Sequence, residues 1–394
     1  MNLIFFDGPR RNHLLPLTYT RPVCDLRIGI LTLREKWEKQ LELNSSTITQ
    51  DYLSQKYPLE KGKNNLLVNG STCFSKSLLD EITALEINQG ITKNGEIVAL
   101  LLNEKGLTEI IEGNFESFKL KEARTSFNKI NNLWDIFALN GAELELDFQF
   151  LTKGRKSAKV PENSTVLAPE NVFIEEGAEV ECAILNGKFG KIYIGKEARV
   201  SEGAVIRGPF ALCEHSEVKM AAKIYGPTTI GPHCKVGGEI SNSILYAYSN
   251  KGHDGFLGNS VIGEWVNIGA DTNNSNLKNN YAPVKLWSYP DGKFTDTGLQ
   301  FCGLIMGDHA KCGINTMFNT GTVVGVAANV FGAGFPRNFI PDFSWGGPQG
   351  MVEHSLSKAY ETAETMMARR KIELSDTDKA ILKSVFDQTQ SLRK

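Results

Sequence analysis

From Ile194 onward every sixth residue is aliphatic: Ile194, Val200, Ile206, Leu212, Val218, Ile224, Ile230 and Val236. Four residues after most of these comes a mostly small side chain: Ala198, Ala204, Phe210, Ser216, Ala222, Thr228 and Cys234. Val160, Val166 and Val172 carry the beat upstream, and Met306, Cys312, Phe318, Val324 and Val330 carry it downstream. A helix would place apolar residues at i, i+3, i+4 and i+7 instead. A parallel β-helix has a period of six. Each unit forms one flat side of a triangular coil, and the aliphatic position points inward, stacked on its equivalents about 4.8 Å away. An irregular β-sandwich is the competing architecture, and so many unbroken steps argue against it. The beat stops at about 245–260 and again at about 272–300, and insertions outside solenoid coils tend to carry function.

The flanks read differently. LIFF (3–6), NLLVNG (65–70) and EIVALLL (96–102) are strand candidates. ILTLREKWEKQL (30–41) and SKSLLDEITALE (75–86) are amphipathic helices between them. Strands alternating with helices predict an α/β unit on a parallel sheet. LWDIFALNGAELELDFQFL (133–151) reads as a helical connector, and 351–394 as a charged helical tail for packing or assembly. The expected division is 1–132, a helical linker at 133–156, a β-helix at 157–350 and a tail at 351–394.

Composition narrows the function classes. At 41% hydrophobic and 22% charged, with a formal net charge of −2, the chain gives no sign of binding nucleic acid or an anionic membrane. No apolar run reaches a membrane span, and MNLIFFDGPRR does not read as a signal peptide. Seven cysteines without a C-x-x-C fit a reduced, cytoplasmic protein.

The hexapeptide repeat resembles that of the left-handed β-helix acyltransferases. The whole layout resembles the bifunctional GlmU-like family, in its shortened, divergent bacterial branch, which pairs a sugar-phosphate nucleotidyltransferase with a glucosamine-1-phosphate N-acetyltransferase. The fold so implied is a Rossmann-like α/β unit, a left-handed parallel β-helix and carboxy-terminal helices. The family's motif G-H-x-x-x-x-G-x-x-x-I-G-x-x-V-N-I-G-A is matched without a gap by GHDGFLGNSVIGEWVNIGA, 252–270. The resemblance implies that His253 is a general base with Glu239 a carboxylate near it. It implies that Asn267 and Asn276 bind the acceptor, and that Ala270, Ile314 and Gly332 contact coenzyme A. Lys223 aligns with a phosphate-binding arginine, with Arg207 one coil away as a second cation. Phe256 stands where the family has tyrosine, and Ser241 where it has a phosphate-binding lysine, which puts the identity of the sugar in doubt. Acetyl-CoA is then the acyl donor and a homotrimer the assembly.

The amino-terminal resemblance is weaker. In FDGPRRNHLLPLTYTRPV, Arg10 or Arg11 could replace a loop arginine and Arg21 is kept, but Val23 stands where a lysine would meet phosphate. Ser71 replaces a magnesium-binding aspartate. Losing these groups removes what would neutralise a triphosphate, and Mg2+ is expected only if this half is active.

Histidine suits acyl transfer to an amine because its ordinary pKa of about 6.5 lies near working pH. Gly252 and Gly255 flank His253 and permit a sharp turn. No Ser or Cys nucleophile with an adjacent base is evident, so direct attack is favoured over a covalent intermediate. Two other classes compete. One is a non-catalytic, sugar-nucleotide-binding scaffold trimer. The other is a zinc-dependent, carbonic-anhydrase-like β-helix, prompted by His215 and His233 one coil apart, although a third ligand is missing. No metal site is otherwise expected.

Overall fold

The computed structural model describes residues 1–114 and 118–393, which divide into two compact units. The first comprises Met1–Leu14, Thr20–Leu26 and Leu31–Asp135. Its sheet is built from β1 (Asn2–Phe6), β2 (Ser45–Ile48), β3 (Asn64–Asn69), β4 (Gln89–Lys93), β5 (Glu96–Asn103) and β6 (Lys119–Glu122), in the order β2-β1-β3-β5-β4-β6. Its helices are α1 (Leu33–Leu41), α2 (Asp51–Ser54), α3 (Lys76–Thr83) and α4 (Glu104–Ile111). Thr32 caps α1 in a capping box with Glu35. Leu3, Phe5, Leu66, Val68, Val98 and Ala99 pack with Trp37 and Leu78 into one core.

The sheet is mixed where a parallel one was expected. β1, β2 and β3 run parallel, but β5 runs antiparallel to both β3 and β4. The cause is local: Asn94 and Gly95, both with positive φ, turn the chain directly from β4 into β5. The apolar run of β5 is legible in the sequence, whereas its short partner strand β4, QGITK, carries little apolar signal.

The second unit holds Leu15–Tyr19, Arg27–Ile30 and everything from Ile136 onward. Most of α5 (Leu133–Thr152) lies in it, and Asn140 and Asp147 accept hydrogen bonds from the backbone of Gly29 and Ile30, each at 2.8 Å. A parallel β-helix follows. Its first face has nine strands, from Val172–Ile174 to Phe339–Ile340. The second has ten, from Glu179–Val180 to Gly350–Glu353, and the third has six, from Thr165–Leu167 to Phe256–Gly258. All eight aliphatic positions from Ile194 to Val236 are at most 1% exposed, and the five downstream positions at most 4%. The period of six therefore marks the interior of the coil, as the sequence implied.

The two interruptions differ in kind. At 245–260 the coils continue: Ile244–Leu245, Asn250–Lys251 and Phe256–Gly258 pair in register with their neighbours. The coils there are one to three residues short, which shifts the phase without leaving the solenoid. At 272–300 the chain does leave it. Val261 pairs with Ile305, and the intervening segment forms a hairpin of Lys285–Ser288 and Lys293–Asp296.

Two helices close the chain: α6 (Leu356–Ala368) and α7 (Asp376–Gln388). They bury Ala359, Ala363 and Met367 on one and Ile381, Leu382 and Val385 on the other. No helix among the described residues is long and apolar enough to cross a membrane.

Candidate functional site

The second face of the solenoid and α6 enclose a groove of about 1470 Å³. His253 lines it, with Asn267, Ala270 and Ile314. His253 sits on a four-residue corner, 252–255, between the second-face strand Asn250–Lys251 and the third-face strand Phe256–Gly258. Its side chain is exposed, as is that of Asn267, while Ile314 is 71% exposed. The corner is tightly wedged. A Cβ on Gly255 (φ +111°) would lie 2.1 Å from the carbonyl oxygen of Thr272, so only glycine fits.

The groove is rich in cations, most of them already engaged. Glu217 binds Lys219 at 2.6 Å and Lys235 at 3.1 Å. Although burial alone would raise Glu217, those two lysines hold its carboxyl below the ordinary range. Burial lowers Lys311 to about 8, and its amine donates to the carbonyl of His309 at 2.8 Å. On α6, Lys358 pairs with Glu361. Burial also lowers His354, whose Nδ1 meets the carbonyl of Ala327 at 2.9 Å.

The remaining expected residues lie elsewhere. Lys223, Glu239 and Phe256 occupy one register column of the third face. Lys223 Nζ is 3.8 Å from the Glu239 carboxylate, and among the described residues no hydrogen bond or ion pair joins Glu239 to His253. Phe256 and Asn276 both lie over Gly258, whose added Cβ would meet Phe256 Cζ at 2.5 Å and Asn276 Nδ2 at 2.7 Å. Asn276 Nδ2 donates to Asn259 Oδ1 at 2.8 Å. Arg207 is farther along this face, its guanidinium over the ring of Phe189 at 4.5 Å and near that of Tyr225 at 5.8 Å. Gly332 is exposed and does not line the groove. Arg207 and Gly332 apart, the expected β-helix site residues form two clusters, one on each side of the corner that carries His253.

The histidine pair offered for zinc is a stack. The rings of His215 and His233 lie 4.8 Å apart and 12° from parallel, and Tyr248 and Trp265 continue the column. Face-to-face rings do not converge their nitrogens on one point. Among the described residues no group of three or more His, Cys, Asp or Glu is placed to hold a metal ion.

In the first unit, Arg11 is 7% exposed and lies 3.3 Å from the Asp7 carboxylate, with a hydrogen bond to Tyr52. Arg21 is also buried, while Arg10 is half-exposed and 3.4 Å from Glu96. Ser71 is buried, with its hydroxyl given to Asn69 Oδ1 at 2.8 Å. These residues do not fit a magnesium-bound triphosphate: Arg11 is matched by an internal carboxylate, and the position of Ser71 offers no anionic ligand.

Residues 3–156 match the family described as sugar nucleotidyl transferase. A bifunctional protein GlmU from Methanococcus maripaludis is 27% identical over 279 residues, 68% of this chain and 60% of that one. A bifunctional sugar-1-phosphate nucleotidylyltransferase/acetyltransferase from Sulfurisphaera tokodaii is 30% identical over 144 residues, 36% of this chain and 35% of that one. Over these stretches the chain is similar to bifunctional GlmU proteins. It spans 33 to 60% of the length of the curated GlmU relatives compared with it. Among solved structures, the Francisella novicida UDP-N-acetylglucosamine acyltransferase is 11% identical over 58% of this chain and 87% of that one, with a TM-score of 0.27.

Part of this groove was not visible in the sequence. α6 supplies one wall, through Thr362, Thr365 and Met366, and its amphipathic pattern shows only that it packs. Trp345 and Val352 belong to an antiparallel hairpin after the last repeat, where the beat has ended. The 18-residue spacing of His215 and His233 signalled a column, but the column is aromatic.

Proposed function

We propose that this protein is an acetyl-CoA-dependent N-acetyltransferase acting on an amino-sugar phosphate related to glucosamine-1-phosphate, in UDP-amino-sugar synthesis. The observation that carries the reading is the exposed His253 on a glycine-bounded corner, opening onto a groove that also exposes Asn267 and Ile314. In the proposed reaction His253 takes a proton from the acceptor amine, whose nitrogen attacks the thioester carbonyl. A carbon–nitrogen bond forms, the carbon–sulfur bond breaks, and coenzyme A leaves as the thiol. Backbone N–H groups of the glycine-rich turn would stabilise the oxyanion.

The two clusters on either side of the corner support a homotrimer. One chain presents its groove and its Lys223–Glu239–Phe256–Asn276 cluster on different faces. A trimer would set one chain's groove against its neighbour's cluster, with Lys223 meeting the phosphate. For residues 3–156 the reading is sugar-nucleotide binding without transfer, because Arg11 and Ser71 are internally engaged. The test is transfer of acetyl from acetyl-CoA to glucosamine-1-phosphate and related amino-sugar phosphates. Activity that His253→Ala abolishes supports the reading, and absence of both transfer and coenzyme A binding favours the scaffold.

A further inference from the structure

The inner column of the second face runs Val200, Val218, Val236, Lys251, Ile268, Cys312, Val330, in register. Six of the seven are apolar and at most 4% exposed. The seventh is a lysine, only 1% exposed, at a slot that any aliphatic side chain would fill.

The Lys251 ammonium donates to the carbonyls of His253, of Asp254 at 2.9 Å and of Gly237 at 3.4 Å. Three donors thus meet three backbone acceptors, two of them on the corner. The arrangement is costly for the core. Burial lowers the amine to about 8, against the opposing pull of Asp254, Cys312 and Asp271. Replacing a buried charge by an apolar side chain of similar volume is often neutral or stabilising, so core packing does not account for a lysine here. Its bonds do: with the carbonyls of His253 and Asp254 held inward, the His253 side chain is turned out to the groove.

We propose that Lys251 is a positioning residue, an ammonium inside the coil that fixes the corner backbone and so aims His253. This rests on the reading of His253 as the base, and the two can be separated by experiment. In the full chain, Lys251→Met is expected to fold, because the column is aliphatic. Its kcat for acetyl transfer should fall about tenfold or more with KM for acetyl-CoA nearly unchanged, since a misaimed base costs rate rather than binding. Amide hydrogen exchange across 253–255 should quicken by about tenfold, as a loosened segment opens more often. Lys251→Gln, which keeps an amide donor, should recover part of both.

Unchanged exchange and unchanged kcat in Lys251→Met would overturn the proposal. Quickened exchange in Lys251→Met beside a fully active His253→Ala would leave the corner anchor standing and remove the base. If neither variant folds, the wild-type chain decides: nitrogen-resolved NMR should show protected Lys251 ammonium protons. Protons exchanging as fast as those of an exposed lysine would overturn the assignment.

Discussion

Asn250 and Asn267 stand directly opposite one another on adjacent coils of the second face, and both line the groove onto which His253 opens. Asn267 is exposed, so truncating it removes little packing. Asn267→Ala is expected to raise KM for the acceptor about tenfold, the value of one hydrogen bond to a polar substrate, with the melting temperature unchanged. Steady-state kinetics against acceptor concentration checks this. An unchanged KM would remove Asn267 from the acceptor site.

The two-sided distribution of site residues makes assembly measurable. His253→Ala and Asn276→Ala should each be inactive alone. Refolded together at equal ratio, they should regain activity at about one site in four, the fraction of trimer interfaces receiving an intact residue from each neighbour. Mixtures that stay inactive, although light scattering shows trimers, would place both residues in one subunit's site.

The inward column sets the stability of the rod. Ile206 is fully buried among aliphatic neighbours in the coils above and below. Ile206→Ala should cost about 2–5 kcal/mol, because a close-packed coil cannot collapse around the void. Thermal or denaturant unfolding measures it. A loss below 1 kcal/mol would mean that the coils relax more freely than this packing implies.

Asp342 supplies a pH dependence. It is fully buried, and burial raises its carboxyl from 3.8 to about 6 despite hydrogen bonds from Val326 N and Tyr289. The folded chain therefore keeps a proton that the unfolded chain releases. The associated stability is full below the unfolded value and declines as pH rises to about 6. Asp342→Asn should flatten that part of the profile. Melting temperatures from pH 4 to 7 in both proteins test the assignment, and parallel curves would refute it.

How much was legible follows from what each signal encodes. The solenoid was readable because one interior slot recurs every six residues, and Ile194 to Val236 fill it without exception. The corner at 252–255 was found by its motif, but the spacing there misled. Short coils shift the phase, so Lys251 did not register as an inward position. The amino-terminal sheet was half-read, because β4 and β6 are short strands with little apolar alternation: β6 is KLKE, exposed throughout. The wall that α6 gives the groove depends on where a distant helix docks, and no local pattern carries that. Arg11 shows the converse. Its type invited a phosphate, while its partner, Asp7, lies four residues earlier and decides its use.

Since Ile305 takes the rung directly above Val261, the rod does not register how much chain is spliced between them. The hairpin at 285–296 lies outside the stack but is bolted to its side, with Trp287 stacked on Phe339 and Tyr289 bonded to Asp342. The rest of its turn, rather than its strands, is where this lineage is free to change what the appendage meets without disturbing the rungs.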